Sequence, residues 1–218
     1  RLLTFGTDSS DFVRFSEVKS STQGLDFKLS LPNRECQIHL NLVGIHNASN
    51  AAAASALALL TGADESAVER GLSHAASLPG RLDVHEYSKF CVIDDAYNAS
   101  FNAVIAAIDT LSHYQGHRVM MFGDMGELGD AAVKLHEDVG THCAGLVDEL
   151  LCVGKLSENS CTKAGNIAKH FNCHSDLVQY ARQIVGSYPY TTFLVKGAHS
   201  MHMDEITKEL NSLGESFS

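Results

Sequence analysis

The sequence predicts an α/β protein in two parts: antiparallel strands followed by helices, then a mostly parallel sheet covered by helices. Three observations predict it. Residues 25–31 alternate apolar and polar side chains, as one half-buried face of a meander does. Residues 44–62 switch to an alanine-rich helical pattern. From residue 84 onward, short runs that are apolar throughout alternate with helical stretches, the rhythm of a parallel sheet with helices on both faces.

The opening RLLTFG reads like the inside of a strand and starts at Arg1 rather than Met, so the chain is expected to be a piece of a longer protein. FVRFSEV (12–18), LDFKLSL (25–31) and CQIHLNLV (36–43) are the next strands, with turn chemistry in STQG and PNRE between them. HNASNAAAASALALLTG is a strong helix with Asn47 as its expected N-cap and Gly62 as its stop. DESAVERGL (64–72) starts a second helix, with acids in the first turn where the helix dipole favours them. SLPGRLD (77–83) reads as a linker broken by Pro79 and Gly80. Strands are expected at 90–94, 118–123, 149–154, 168–171 and 192–197, and helices near 101–114, 131–146, 175–186 and 200–212.

A composition of 44% hydrophobic and 19% charged residues is that of a globular protein, and a net charge of −10 argues against a nucleic-acid or anionic-membrane surface. No apolar run reaches the roughly 18 residues of a membrane span, and no signal peptide is visible, so no membrane insertion is expected. The six cysteines show no CxxC spacing and read as reduced thiols of a cytoplasmic protein.

Ligands of an open parallel sheet bind beyond the carboxyl ends of its strands. Asp94-Asp95, Gly123-Asp124, Gly154-Lys155 and Lys196-Gly197 stand at those ends. An acid there can accept hydrogen bonds from hydroxyls without being buried. GDMGELG (123–129) has the spacing G-x-x-G-x-x-G rather than a dinucleotide fingerprint, and Asp124 and Glu127 would repel a pyrophosphate. It reads either as a flexible turn opening a helix or as a loop facing substrate or partner. The P-loop pattern G-x-x-x-x-G-K-[ST] is missing from the sequence. GIHNASN places His46, Asn47 and Asn50 at a helix mouth, where an amide can read an adenine rim or simply cap the helix. The pairs His113/His117 and His170/His174 have H-x-x-x-H spacing but bring no third ligand, and read as surface histidines; no metal ligand is assigned.

Taken together, GIHNASNAAAASALA (44–58), LPGRLDV (78–84), VIDDAYNAS (92–100), VMMFGDMGELG (119–129), VGKLS (153–157) and LVKGAHSMHMDE (194–205) resemble the Mur ligases of peptidoglycan synthesis. The resemblance runs over nearly the whole chain and is clear from Gly44 onward. DDAYNA followed by GDMGELG resembles the branch that adds D-alanyl-D-alanine. The resemblance implies that residues 1–80 are the last strands and helices of a central ATPase domain, residues 81–218 are a Rossmann-like C-terminal ligase domain, and the phosphate loop lies upstream of Arg1.

The implied activity is ATP- and Mg²⁺-dependent. The γ-phosphate passes to the carboxylate of a UDP-N-acetylmuramoyl tripeptide, and the amine of D-alanyl-D-alanine attacks the acyl phosphate. The whole enzyme would be cytoplasmic and monomeric, and the isolated chain inactive alone. The resemblance also assigns residues. His46 and Asn47 would meet adenine, and Arg81 would reach the nucleotide. Asp95 would accept from the ribose hydroxyls, with Tyr97 and Asn98 completing that edge. Lys196, the catalytic candidate, would face the peptide end of the substrate, while Asp94 would serve local backbone N–H groups. Two departures stand out. Ser100-Phe101 replaces the family's Asn-Pro, and Ala198-His199 follows Lys196-Gly197 where the family has Ser-Arg. His199 lacks an arginine's bidentate fork. A non-catalytic nucleotide- or protein-binding module on the same scaffold, or a related ligase with another substrate, are the alternatives.

Overall fold

A computed structural model describes residues 2–217. The chain divides into two compact units, Arg1–Ser77 and Leu78–Ser218.

In the first unit, β1 (Phe5–Gly6), β2 (Val13–Ser21), β3 (Gly24–Ser30) and β4 (Glu35–Leu40) form a sheet in chain order. β1 runs parallel to β2, and the β2–β3–β4 meander is antiparallel as expected. Of the opening run only Phe5–Gly6 is strand, and Arg1 lies outside the described residues. In β4 the buried residues are Cys36, Ile38 and Leu40, while their neighbours face water, which is the period-2 pattern that fixes register. α1 (His46–Leu60) joins this core with Ala48, Ala51, Ala52 and Ala56, alongside Leu25, Phe27 and Leu29 of β3. α2 (Glu65–Ser73) starts on a side-chain cap, with Asp64 accepting from the Ala67 N–H at 2.6 Å.

Asn47 does not take the expected N-cap role. The helix already begins at His46, and Asn47 lies inside its first turn. Its Nδ2 donates to the Val43 carbonyl at 2.8 Å, and its Oδ1 accepts from Asn50 Nδ2 at 3.0 Å.

The described residues of the second unit form six strands: β5 (Asp83–Glu86), β6 (Phe90–Asp95), β7 (His117–Gly123), β8 (Glu149–Val153), β9 (Ala168–Phe171) and β10 (Thr191–Lys196). Their spatial order is β5-β6-β10-β7-β8-β9. All neighbours pair in parallel except β5, which is antiparallel to β6. The helices are α3 (Phe101–Ser112), α4 (Ala132–Cys143), α5 (Glu158–Ala164), α6 (His174–Ser187) and α7 (Asp204–Glu215). One sheet face, with Val92, Val119, Met121, Leu151, Phe193 and Val195, packs on Leu177 and Ala181 of α6 and on Ile206 and Leu210 of α7. β7, β8 and β10 are buried almost throughout, so they read as apolar runs rather than alternations.

Two elements differ from expectation. β5 starts on Asp83, the last residue of the stretch read as linker, and runs on to Glu86; its DVHE is too short and polar to signal a strand, and it forms only because β6 offers an edge. α5 has no apolar periodicity in ENSCTKA; it is held by tertiary bonds instead.

Candidate ligand site at the carboxyl edge of the second sheet

The register of β6 and β10 builds the centre of the site. These strands pair from Phe90↔Thr191 to Asp95↔Lys196, so their last residues lie side by side. Lys196 is only 2% exposed. Its Nζ donates to Asp95 Oδ2 at 2.5 Å, to the Asn98 carbonyl at 2.9 Å and to the Asp95 carbonyl at 3.4 Å. Asp95 Oδ1 accepts from the Leu82 N–H at 3.3 Å. Burial pushes the Asp95 carboxyl above the usual carboxylate range, and Lys196 and the Leu82 N–H only partly offset it. Asp94 points elsewhere. Its Oδ1 accepts from the Ala96 N–H and from Thr207 Oγ1, and burial again raises its pKa against these bonds.

Above this pair lies an exposed stack. The Tyr97 N–H donates to the Gly80 carbonyl at 3.1 Å, and a Cβ on Gly80, at φ 75°, would crowd Tyr97. The Arg81 guanidinium lies 4.2 Å from the Tyr97 ring centre, a cation–π contact. The His199 ring centre is 5.8 Å from that of Tyr97, and His202 is 6.4 Å from His199. Tyr97 remains 51% exposed, so the stack presents a ring to solvent. Asn98 is exposed, and its Oδ1 is bonded to the Ala99 N–H. Ser100 is the N-cap residue of α3 and Phe101 its first residue, so the departure from Asn-Pro keeps the helix start and loses only proline's preset φ.

Non-glycine residues with positive φ gather at this edge: Leu82 (52°), Glu127 (60°) and His202 (49°), with Glu17 the other described case. Such strain persists where surrounding bonds over-determine it.

The GDMGELG loop is held by its bonds. Both Asp124 carboxylate oxygens lie 3.1 Å from the Leu156 N, and Oδ1 lies 2.7 Å from the Ser157 N. The Asp124 carbonyl accepts from the Ala198 N–H at 2.8 Å. Asp124 thus ties β7, the start of α5 and the loop after β10 together. His136 was not singled out by sequence. It is fully buried; its Nε2 accepts from the Met125 N–H at 3.0 Å, and its Nδ1 donates to the Ala132 carbonyl at 2.7 Å. The signal was present: His136, Val139, Gly140 and Cys143 are all buried and share one helical stripe. The paired histidines each find a protein acceptor, His113 at the Asp109 carbonyl, His117 at Glu149, His170 at the Gly154 carbonyl and His174 at Glu205.

The structure therefore brings Arg81, Asp95, Tyr97, Asn98 and Lys196 to one edge of the second unit. His46 and Asn47 stand at the start of α1 in the first unit, His46 exposed and Asn47 half-buried. Among the described residues, no three His, Cys, Asp or Glu side chains gather as a metal site, and no helix is long and apolar enough to cross a membrane.

A parallel sheet with helices on both faces and a polar cluster at its strand ends defines an α/β ligand-binding unit of Rossmann-like type. The family is shown by sequence: residues 80–199 match the Mur ligase glutamate ligase domain and residues 1–58 the Mur ligase middle domain. The chain belongs to the Mur ligase family. The UDP-N-acetylmuramoyl-tripeptide–D-alanyl-D-alanine ligase of Escherichia coli K12 is 33% identical over 208 residues, covering 94% of this chain and 46% of that protein. A crystal structure of MurF from Acinetobacter baumannii matches with a TM-score of 0.88 at 28% identity, over 96% of this chain and 46% of that one. MurF ligase from Thermotoga maritima, solved in complex with ADP, shares the fold with a TM-score of 0.81 at 18% identity, over 99% of this chain and 49% of that one. The chain spans about half the length of the relatives it matches.

Proposed function

We propose that the chain is the nucleotide- and peptide-handling part of an ATP-dependent ligase that joins D-alanyl-D-alanine to a UDP-N-acetylmuramoyl tripeptide. The observation that carries this reading is the likeness, over 94% and 96% of the chain, to two relatives that bear that activity in their names. The site supports it. Asp95, Arg81 and the exposed Tyr97 ring offer an acceptor, a cation and a stacking face at the place where α/β sheets bind ligands. These fit a nucleoside: Asp95 would accept from the ribose hydroxyls and Arg81 would reach the nucleotide, while in the first unit His46 and Asn47 would meet adenine.

The reaction needs the tripeptide carboxylate activated by phosphoryl transfer and the dipeptide amine held for attack, so these residues act by positioning. Among the described residues no three His, Cys, Asp or Glu side chains gather, and the ligands of the Mg²⁺ and of the phosphates are proposed to lie mostly upstream of this chain. With no P-loop sequence in its 218 residues, the isolated chain is expected not to hydrolyse ATP. The full-length enzyme is proposed to work as a cytoplasmic monomer.

His199, where the family carries arginine, favours a second reading, a related ligase with another acceptor. The test is phosphate release by the full-length enzyme with ATP, the UDP-linked tripeptide and D-alanyl-D-alanine, against a panel of single amino acids and other dipeptides. Turnover confined to a different acceptor would replace the first reading with the second. Within the active enzyme, Asp95→Ala should raise the KM for ATP by about tenfold or more, as loss of a charged hydrogen-bond acceptor does. An unchanged KM removes the ribose assignment.

A further inference from the structure

The motif places Lys196 at the substrate, but its surroundings leave it no free proton. An ammonium has three N–H donors. All three are taken, by Asp95 Oδ2, the Asp95 carbonyl and the Asn98 carbonyl. The side chain is buried beside a carboxylate that is itself 13% exposed. Contact with a substrate anion would break one of these bonds and strand an acceptor in a dry site. The bonds also bridge elements: one end grips the tip of β6, the other the carbonyl one residue beyond Tyr97. Asp95 in turn holds the Leu82 N–H, next to Arg81, and the Tyr97 N–H holds the Gly80 carbonyl. A single ammonium therefore closes a ring of contacts that runs from β10 through Asp95 to residues 80–82 and back through Tyr97 to Asn98.

We infer that Lys196 is a positioning residue, which fixes the Asp95 carboxylate and the Tyr97–Arg81 stack for the ligand and does not itself touch the acceptor peptide. Exposed polar side chains at this edge, unlike the buried Lys196, include Arg81, Glu127, Lys155, His199 and His202. Arginine cannot replace Lys196, because a planar fork does not match three acceptors that converge on one point.

The kinetic part of the test rests on the proposed ligase function. In the full-length enzyme, Lys196→Met, Asp95→Asn and the double variant are compared for KM of ATP, KM of the dipeptide and kcat. Positioning through Asp95 predicts that Lys196→Met raises the ATP KM about tenfold. The double variant should be no worse than the poorer single, with the dipeptide KM within about twofold of wild type. Lys196→Arg should not rescue. A rise in the dipeptide KM with an unchanged ATP KM, or effects that multiply in the double variant, overturns the inference. Should Lys196→Met fail to fold, the double variant, which strands no charge, is compared with Asp95→Asn alone, and a dipeptide KM raised more than about twofold between them overturns it.

If the wild-type enzyme shows no ligase turnover, the proposed function fails, and the positioning role is then read on this chain by amide hydrogen exchange. Lys196→Met should speed exchange at Leu82 and Tyr97 by about tenfold or more while leaving Phe193 and Leu194 unchanged. Equal protection at Leu82 and Tyr97 overturns the inference whatever the chain catalyses.

Discussion

Asp124→Ala removes the carboxylate that anchors the start of α5, and the structure sets the size of the effect. Asp124 accepts from two backbone N–H groups, Leu156 with both oxygens and Ser157 with Oδ1 at 2.7 Å. Ser157 is fully buried, so its N–H cannot turn to water when the acceptor goes. A hydrogen bond to a charged group contributes about 1.5–3 kcal/mol, and losing a helix-start acceptor costs about 0.5–2 kcal/mol. The second N–H is shared and longer, so the expected loss is about 2–3 kcal/mol rather than the sum of two full bonds. Asp124→Asn keeps an oxygen for Ser157 and loses the charge, for about 1 kcal/mol.

Urea unfolding followed by circular dichroism reads this, with hydrogen exchange reporting on α5. The chain has two compact units, so the analysis needs separate transitions, and only that of the second unit should move. Gly154→Ala should mimic the loss. Gly154 sits at φ 122°, and a Cβ there would stand against Asp124 Oδ1. A midpoint for Asp124→Ala within about 0.5 kcal/mol of wild type, with α5 exchange unchanged, refutes the anchor.

Gly140→Ala should destabilise the second unit by about 1–3 kcal/mol, despite alanine's better helix propensity, because its Cβ would meet the Ser160 carbonyl where α4 and α5 touch; thermal unfolding reads it. For Asp148 burial works upward, but the Arg118 side chain and N–H outweigh it and hold the carboxyl below its usual range. The stabilisation is complete above about pH 4 and is lost as pH falls through the lowered value. Asp148→Asn should therefore cost about 1 kcal/mol at pH 7, allowing for solvent screening, and the gap to wild type should close in acid. Asp94 has the opposite sign: its raised pKa makes the ionised form a penalty that grows as pH rises from the ordinary carboxylate range through the folded value. Asp94→Asn, which keeps Oδ1 for Ala96 and Thr207, should be at least as stable as wild type at pH 7 and lose that pH dependence in melting curves.

Much of the candidate site was legible because its residues sit where runs stop. The apolar run of β6 ends in two acids and that of β10 in a lysine, and a strand end is a local property of the chain. Asp94 could be assigned to nearby N–H groups for the same reason, since its Ala96 partner is two residues away. Asn47 misled because amide capping and an amide inside the first turn look alike in sequence; the choice was made by the Val43 carbonyl and by Asn50. β5 and α5 were missed because neither carries its own apolar pattern. One borrows the edge of β6, and the other borrows Asp124 and the bond from Ser160 Oγ to the His136 carbonyl.

The sequence by itself determined the α/β class, the meander, most strands and helices, and the polar residues at their ends, since periodicity and turn chemistry act over a few residues. Only the tertiary structure decided strand order. It inserts β10, the last strand, between β6 and β7, and so seats Lys196 beside Asp95, 101 residues away in the chain. Whether that lysine has protons to spare for a ligand depends on which acceptors the fold brings around it, and those come from distant parts of the chain that no local pattern encodes.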